Sequence, residues 1–214
     1  RFAQHEGRAV TADPVDAVIV DSGGANLASL QFALERLGAR SVVSTDGEVI
    51  RHAPRVLLPG VGSAQDAMAR LRATGLDRVL RELRQPVLGI CLGMQLLYRS
   101  SEEGDTPCLG ILPATVRRLE PARGRPVPHM GWNRIRACRN VALLEGLEDG
   151  EHLYFVHSFA APVTPDSAAV TDYGTDLTAV VQRDNFCGTQ FHPERSGKAG
   201  ARVLYNFLRL PACS

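Results

Sequence analysis

Two continuous apolar runs, each followed by a turn and a helical pattern, constrain the fold of this chain most strongly. Ala17–Asp21 precedes a glycine-containing turn and leucines at helical spacing, and Val87–Ile90 precedes a short helical run over Leu92–Tyr98. Strands without polar alternation are typical of a parallel sheet that is buried on both faces. The first half of the chain therefore predicts repeated strand–helix units in an open α/β sheet.

The second half has a different character, with short runs rich in Val, Thr, Tyr and Phe that are broken by Gly, Pro and Asp. This pattern is typical of strands, some of them antiparallel, with few helices between them. A final helix is predicted from about Ser196 to Leu208. The fold class expected is α/β: an open, mostly parallel sheet flanked by helices, with additional antiparallel strands. The predicted strands of this half cover 111–119, 126–136, 151–157, 168–173 and 177–190.

Residues 15–214 are predicted to form one domain, because a chain of 214 residues is close to the usual domain size and shows neither an internal repeat nor a long linker. Residues 1–14 have no helical or strand periodicity and no apolar stretch typical of a secretory signal. We interpret them as an N-terminal extension or a remnant of expression, with a partner-binding arm as the alternative.

Composition excludes several function classes. The 24 Lys and Arg residues against 23 Asp and Glu residues give a net charge of +1, so no nucleic-acid or anionic-membrane binding is expected. No apolar run approaches the roughly 20 residues of a membrane-spanning helix. The five cysteines contain no CxxC pair, which argues against a zinc site and favours a reducing, cytoplasmic setting. No metal or cofactor is predicted, since phosphate-binding glycine motifs are also absent.

The segment Gly89-Ile90-Cys91-Leu92-Gly93 has the form G-x-C-x-G and lies between a predicted strand and a predicted helix. This is the arrangement of a nucleophile elbow, with a thiol in place of the usual hydroxyl. The helix start favours a thiolate, and the Leu92 amide can point at the oxyanion of a tetrahedral intermediate. Cys91 is therefore a candidate nucleophile, with a buried core cysteine as the alternative.

A cysteine nucleophile needs a base, and the base needs a group that orients it. His192 is the best candidate among the histidines because Pro193 disfavours a helix there and Glu194 follows two residues later. In an extended chain, residues two apart project to the same side, so the Glu194 carboxylate could hold the imidazole. The predicted set is a Cys-His-Glu triad, and a loop with solvated charges is the alternative for the H-P-E segment.

These motifs resemble the class I glutamine amidotransferases. The resemblance rests on GICLGMQ at 89–95, FHPE at 191–194 and PGVG at 59–62. Within that class, PVPHMGWN at 126–133 and LYFVHS at 153–158 resemble the glutaminase subunits of imidazole glycerol phosphate synthase. The similarity covers the chain from about Ala17 to Leu210.

The resemblance implies both a fold and a reaction. The fold is an open α/β sheet with a smaller antiparallel region. The reaction is hydrolysis of L-glutamine to glutamate and ammonia without a cofactor. Ammonia then passes to a (β/α)8-barrel cyclase subunit, which makes imidazole glycerol phosphate and an aminoimidazole carboxamide ribotide in histidine biosynthesis. The implied partner is thus a second protein, in a heterodimer.

Transferred position by position, the resemblance implies that Cys91 forms the thioester, that His192 moves the protons and that Glu194 orients His192. The oxyanion hole would be formed by the Leu92 amide and an amide within Val61–Gly62. A peptide of this glycine-rich strand is implied to turn before its amide faces inward, which would keep the subunit nearly silent without its partner.

Glutamine binding is implied for Gly60, for Gln95 and for the backbone of Ser158 and Phe159. The alternatives are a solvated helix residue for Gln95 and a plain strand edge for Ser158. Gln95 stands one helical turn after Cys91.

Four positions match those that face the barrel partner and the ammonia passage in the family: Trp132, Asn133, Tyr154 and Arg195. A core position is the alternative for Trp132. Arg195 stands where a lysine commonly follows H-P-E, and the turn at 21–27 lacks the aromatic residue and one glycine of the family pattern. Because Arg and Lys are not interchangeable at a specific pairing site, these departures affect the expected partner contacts and not the triad.

Two other function classes remain open from the sequence. One is a stand-alone cysteine hydrolase, such as a γ-glutamyl hydrolase or a peptidase of related fold. The other is a non-enzymatic binding module with a relic triad, against which the intact Cys91, His192 and Glu194 argue.

Overall fold

The computed structural model describes residues 15–23 and 27–211. The predicted N-terminal extension, residues 1–14, lies outside the described residues, and so do 24–26 of the first glycine turn and 212–214. Within the described part of the chain, no helix is long and apolar enough to cross a membrane.

Strands alternate with helices in the first half and follow one another in the second. The helices are α1 (Leu27–Arg36), α2 (Gly47–Arg51), α3 (Ala64–Ala73), α4 (Leu76–Glu82), α5 (Leu92–Leu96) and α6 (Gly197–Leu208), with 3₁₀ turns at Ala142–Leu144 and Pro193–Arg195. The strands are β1 (Ala17–Val20), β2 (Ser41–Ser44), β3 (Val56–Gly60), β4 (Val87–Cys91), β5 (Tyr98–Ser101), β6 (Thr106–Pro107), β7 (Leu112–Arg118), β8 (His129–Arg134), β9 (Arg136–Ala137), β10 (His152–His157), β11 (Phe159–Ala160), β12 (Ser167–Asp172), β13 (Asp176–Arg183) and β14 (Phe186–Thr189).

The main sheet has eight strands in the order β2-β1-β3-β4-β14-β13-β12-β9. From β2 to β14 every pairing is parallel, and from β14 to β9 every pairing is antiparallel. The predicted α/β class, with a mostly parallel sheet and additional antiparallel strands, is therefore confirmed. The central strand β4 lies between β3 and β14, with Gly60 opposite Cys91 and Thr189 opposite Ile90.

Apolar side chains cover both faces of this sheet. Along β1, Val18 and Val20 pack into one hydrophobic cluster and Ala17 and Ile19 into another. Because side chains alternate across a strand, the two clusters lie on opposite faces. Helices α2 to α5 contribute to the first cluster, and α1 and α6 contribute to the second. Burial on both faces explains why the strands read as continuous apolar runs.

Two smaller sheets complete the fold. A four-stranded sheet has the order β11-β7-β5-β6, and β8 pairs with β10 as an antiparallel two-stranded ribbon. The ribbon pairs His129 with His157 and Trp132 with Tyr154. It therefore places the two aromatic-rich motifs of the sequence side by side.

The predicted elements differ from the observed ones in four places. The helix after Cys91 ends at Leu96, and fully buried Tyr98 begins β5 instead. The segment 177–190 is two strands, β13 and β14, and 126–136 contributes β8 and β9 to different sheets. The short elements α2, β5, β6 and β11 were not predicted.

Candidate active site

Cys91 lies at the point where strand β4 turns into helix α5. Its backbone has φ +54° and ψ −111°, a strained conformation that non-glycine residues rarely adopt. The neighbouring glycines permit this turn, because a Cβ on Gly93 would overlap the Leu58 carbonyl group and one on Gly89 would lie 2.7 Å from the Gly93 carbonyl oxygen. The sharp strand-to-helix turn predicted from G-x-C-x-G is therefore present.

His192 and Glu194 form a buried pair, with 2.8 Å between His192 Nδ1 and Glu194 Oε1 and both side chains less than one tenth exposed. The expectation of an extended chain is right for His192, with φ −96° and ψ 99°, but wrong for Glu194. Pro193–Arg195 forms a 3₁₀ turn, which brings the carboxylate back over the imidazole. The pair therefore forms through a tight turn and not through strand alternation.

The parallel pairing of β14 with β4 brings the two halves of the site together. His192 follows β14 closely, and it lines the same cavity as Cys91, close enough for the thiol to influence the pKa of its ring. Cys91 Sγ also lies 3.7 Å from the Val156 carbonyl oxygen and 3.8 Å from Gln190 Nε2. The predicted triad residues are thus adjacent in space although about 100 residues separate them in the chain.

The charge state of His192 is controlled by its two partners. Burial lowers the pKa of His192, but hydrogen bonds with Cys91 and Glu194, and the negative charges of both groups, outweigh burial and raise the pKa to about 10. The imidazolium form of His192 is therefore favoured at neutral pH. A proton is ready on the ring for transfer to a leaving group.

We expect His192 in the native protein to stay protonated throughout an NMR titration across neutral pH. In Cys91→Ala it should lose its proton at a lower pH, because the hydrogen bond and charge of Cys91 are gone while Glu194 remains. Imidazole ¹⁵N shifts of histidine-labelled protein measure this directly. Identical His192 titration curves in the two proteins would contradict the arrangement.

A cavity of about 390 Å³ opens over the thiol. Its volume lies within the usual range of small-molecule sites. It brings together most of the residues predicted for oxyanion stabilisation and substrate binding. Its lining residues are Val61, Gly62, Cys91, Leu92, Gln95, Glu103, Pro128, Val156, His157, Ser158, Phe159 and His192.

The glycine-rich strand 59–62 forms one wall of this cavity. Gly62 has φ +89°, in the region that favours glycine, and Val61 is partly exposed beside it. Gly60, predicted to bind substrate, does not line the cavity. It packs against α5 instead, where a Cβ would lie 3.0 Å from both Gly93 N and Leu92 Cβ. The Ser22 hydroxyl donates a 2.9 Å hydrogen bond to the Pro59 carbonyl oxygen, a contact that was not predicted from the sequence.

The four residues predicted to face a partner lie outside the cavity. Trp132 is 58% exposed, so the core alternative for it is wrong. It contacts the Tyr154 ring edge-on at 6.0 Å, and the Arg195 guanidinium lies 4.7 Å from the centre of the same ring. Asn133 turns inward and hydrogen-bonds His129. Trp132, Tyr154 and Arg195 thus form an aromatic and cationic cluster beside the middle of the β8–β10 ribbon.

Two residues near the thiol, Glu103 and Gln190, were missed from the sequence, and His157 was predicted only as part of the LYFVHS segment at 153–158. Gln190 stands two residues before His192, so the alternation argument used for Glu194 could have found it. Glu103 follows β5, an unpredicted strand, and no local signal marks it. Within residues 15–23 and 27–211, no group of three or more His, Cys, Asp or Glu side chains could hold a metal ion.

Comparison with known proteins assigns the family. The HisH subunit of imidazole glycerol phosphate synthase from Xanthomonas oryzae is 55% identical over 195 residues, which cover 91% of this chain and 98% of that protein. The HisH subunit from Xylella fastidiosa is 52% identical over 197 residues, covering 92% and 98% of the two chains. The class I glutamine amidotransferase family model matches residues 18–210. The chain belongs to the HisH family of class I glutamine amidotransferases.

Solved structures agree on the fold of this glutamine amidotransferase. A crystal structure of a glutamine amidotransferase superposes with a TM-score of 0.70 at 23% identity, covering 90% of this chain and 96% of that one. A glutamine amidotransferase from Thermotoga maritima superposes with a TM-score of 0.65 at 13% identity, covering 92% and 97%. The resemblance drawn from the motifs, the enzyme class and the fold are therefore confirmed.

Proposed function

We propose that this chain is the glutaminase subunit of an imidazole glycerol phosphate synthase. It hydrolyses L-glutamine to L-glutamate and ammonia at Cys91, and the ammonia is used by a (β/α)8-barrel cyclase subunit in histidine biosynthesis. Membership of the HisH family supports the reaction class and the pathway. The observation that carries the proposal is the arrangement of Cys91 and His192 on the lining of one small cavity, with Glu194 paired to His192.

The first half of the reaction forms a thioester. The Cys91 thiolate attacks the side-chain amide carbon of glutamine, and the carbonyl oxygen becomes an oxyanion. The Leu92 amide and an amide of Val61 or Gly62 are proposed to hold that oxyanion. His192 then donates its proton to the amide nitrogen, the C–N bond breaks, and ammonia leaves.

The second half releases glutamate. Neutral His192, held by Glu194 at 2.8 Å, takes a proton from water as the water oxygen attacks the thioester carbon. The tetrahedral intermediate collapses, the C–S bond breaks, and the Cys91 thiolate and the imidazolium are restored. One water is consumed and one ammonia produced per glutamine, so the triad returns to its starting state.

The amino-acid end of glutamine is proposed to bind beyond the thiol. Glu103 is the one acidic side chain among the described residues that line the cavity, which suits a substrate α-ammonium group. Its Oε2 accepts a 2.7 Å hydrogen bond from the Ala64 backbone N–H, which fixes the carboxylate. Gln95 and the backbone of Ser158 and Phe159 line the same region. A small zwitterion fits this combination of one carboxylate and neutral hydrogen-bonding groups.

The partner surface is proposed to be the exposed face of the β8–β10 ribbon that carries Met130 and Trp132. Met130 is 66% exposed and Trp132 is 58% exposed, and exposed large apolar residues are typical of protein interfaces. Tyr154 and Arg195 continue this surface next to the triad. The cyclase subunit would cover these residues and receive ammonia beside them. A reducing compartment such as the cytoplasm suits the free thiol at Cys91.

Glutamate release by the chain with and without the cyclase subunit and its ribotide substrate tests the proposal. We expect the rate in the complex to exceed the rate of the chain alone by about a hundredfold, the effect of completing one oxyanion contact. The complex supplied with ammonium chloride instead of glutamine serves as the control for an active cyclase. Efficient hydrolysis of γ-glutamyl peptides by the chain alone would instead favour a stand-alone hydrolase, and no glutamate release in the complex would indicate a relic site.

A further inference from the structure

A continuous series of buried and partly buried hydrogen bonds leads from Asn133, on the β8–β10 ribbon, to the thiol of Cys91. It passes through two histidines and two glutamines that are each less than one tenth exposed. Each direction of donation can be deduced, because the series contains backbone groups that can only accept or only donate. The series, in order, is Asn133, His129, His157, the Phe159 carbonyl, Gln95, Gln190 and Cys91.

Two backbone groups fix the orientation of the Asn133 side-chain amide, the first member of the series. Asn133 Nδ2 lies 2.9 Å from the Asp172 carbonyl oxygen, and Asn133 Oδ1 accepts a 2.8 Å hydrogen bond from the Arg134 backbone N–H. The amide therefore presents its NH₂ group to His129 Nε2 at 3.2 Å, and that ring nitrogen must accept. In a neutral imidazole the other nitrogen then carries the hydrogen, so His129 is the Nδ1–H tautomer.

The same reasoning continues through the second histidine. His129 Nδ1 lies 3.0 Å from His157 Nε2, which must accept, so His157 also carries its hydrogen on Nδ1. That N–H donates to the Phe159 carbonyl oxygen at 2.9 Å, a group that can only accept. Burial lowers the pKa of His129 to about 4, and burial with the charges of His129 and His192 lowers that of His157 to about 3. Both rings are neutral at physiological pH, as the series requires.

The Phe159 carbonyl oxygen also determines the direction of the hydrogen bonds that lead from Gln95 to Cys91. It accepts from Gln95 Nε2 at 2.8 Å, and the same NH₂ group donates to Gln190 Oε1 at 3.0 Å. Gln190 must therefore direct its own NH₂ group at Cys91 Sγ, 3.8 Å away. Both hydrogens of the Gln95 amide are used, and no described residue hydrogen-bonds its oxygen. That oxygen is left for the cavity that Gln95 lines.

We propose that His129, His157 and Gln190 are positioning residues for the glutaminase site, acting through one directional hydrogen-bond series. They hold the Gln95 amide so that its oxygen faces the substrate α-ammonium group, and they give the Cys91 thiolate an N–H donor. The inference rests on the proposed function for the role of Gln95. The series begins at Asn133, on the same ribbon as the proposed partner surface.

The tautomers of the two histidines provide a test that needs no turnover. In the full chain with ¹⁵N-histidine, we expect His129 and His157 both to give the ¹⁵N signature of a single neutral Nδ1–H tautomer between pH 6 and 8, a range above both pKa values. Loss of one signal in each of His129→Gln and His157→Gln assigns them. An Nε2–H tautomer, or averaging between tautomers, at either ring would overturn the directional series.

Gln190→Met tests the downstream half, because methionine keeps the unbranched shape and removes both hydrogen bonds. In the complex with the cyclase subunit, we expect KM for glutamine to rise about tenfold. Alkylation of Cys91 by iodoacetamide should slow by a similar factor, read on the Cys91 peptide by mass spectrometry because Cys138 is exposed. Gln65→Met, on the exposed face of α3, is the matched control and should change neither value.

A purely structural role for Gln190 would lower the melting temperature but leave KM and the alkylation rate within twofold of the control, and that result would refute the proposal. If the native complex released no glutamate, the proposed function would fail. The tautomers and the alkylation rate would still decide whether the series exists.

Discussion

Replacement of Cys91 by alanine is expected to reduce partner-stimulated glutamate release by about 10⁴-fold or more while the protein stays folded. The thiol is the group proposed to form the covalent intermediate, and neither His192 nor Glu194 can replace a missing nucleophile. Folding should survive, because the strained backbone at φ +54° is maintained by the surrounding glycines and strands and not by the sulfur. The substitution does not relieve the backbone strain at this position, since alanine also disfavours positive φ.

Cys138→Ala is the matched control, since Cys138 is exposed and distant from the cavity lining. Its glutamate release should equal that of the native protein. The complex with Cys91→Ala should still make product from ammonium chloride, because the cyclase subunit is unchanged. Retention of glutamine-dependent turnover in Cys91→Ala would mean that another group attacks glutamine and that the triad is misassigned.

Gly93→Ala is expected to lower the free energy of unfolding by about 3 kcal/mol or more, a large part of the stability of an ordinary domain. A methyl group there would overlap the carbonyl group of Leu58, a backbone atom of β3 that cannot rotate away. Because β3 pairs with β4 along its whole length, the clash would push α5 away from the sheet. Cys91 stands between β4 and α5, so activity should be lost together with stability.

Urea-induced unfolding, monitored by circular dichroism, measures the free energy of unfolding of Gly93→Ala and of the native protein. Gly47→Ala is the control, because its nearest atom is a side-chain methyl carbon of Val79 at 3.1 Å, which has to shift by only a few tenths of an ångström, and the residue lies at the start of α2. Its free energy of unfolding should change by about 1 kcal/mol or less. If both variants were equally stable, the close approach of α5 to β3 would not constrain the elbow.

Cys91→Ala and Gly93→Ala test different properties of the turn between β4 and α5. Gly93 allows helix α5 to lie against β3, and this contact holds Cys91 in a strained position that faces the cavity. Gln190 and His192 then reach the sulfur from the chain that leaves β14. The nucleophile is therefore positioned by backbone packing, and its charge is stabilised by side chains from a distant part of the sequence.

Local chemistry explains which predictions from the sequence were right. The elbow at Cys91 is encoded within five residues, and the His192–Glu194 pair within three, so both were accessible to spacing arguments. Continuous apolar strands likewise indicated the parallel sheet. The extended geometry expected at Glu194 was wrong, because Pro193 begins a 3₁₀ turn that serves the same pairing.

Other features depended on contacts between distant segments. Tyr98 was assigned to a helix because it continues the spacing after Cys91, whereas burial against β7 makes it the start of a strand. The exposure of Trp132 could not be read from its type, because a lone tryptophan is compatible with a core or an interface. Glu103 reaches the cavity from the turn that follows β5, a strand that was not predicted.

By itself, the sequence determined the α/β class, the nucleophile turn and the carboxylate that holds His192, because these follow from residues within one turn or one strand. Only the tertiary structure decided that β14 lies beside β4, which brings His192 and Gln190 to Cys91. It also decided that His129 and His157 meet inside the β8–β10 ribbon and act on the Phe159 carbonyl. The physical reason is that hydrogen bonds between segments depend on strand order and register, which no local spacing encodes.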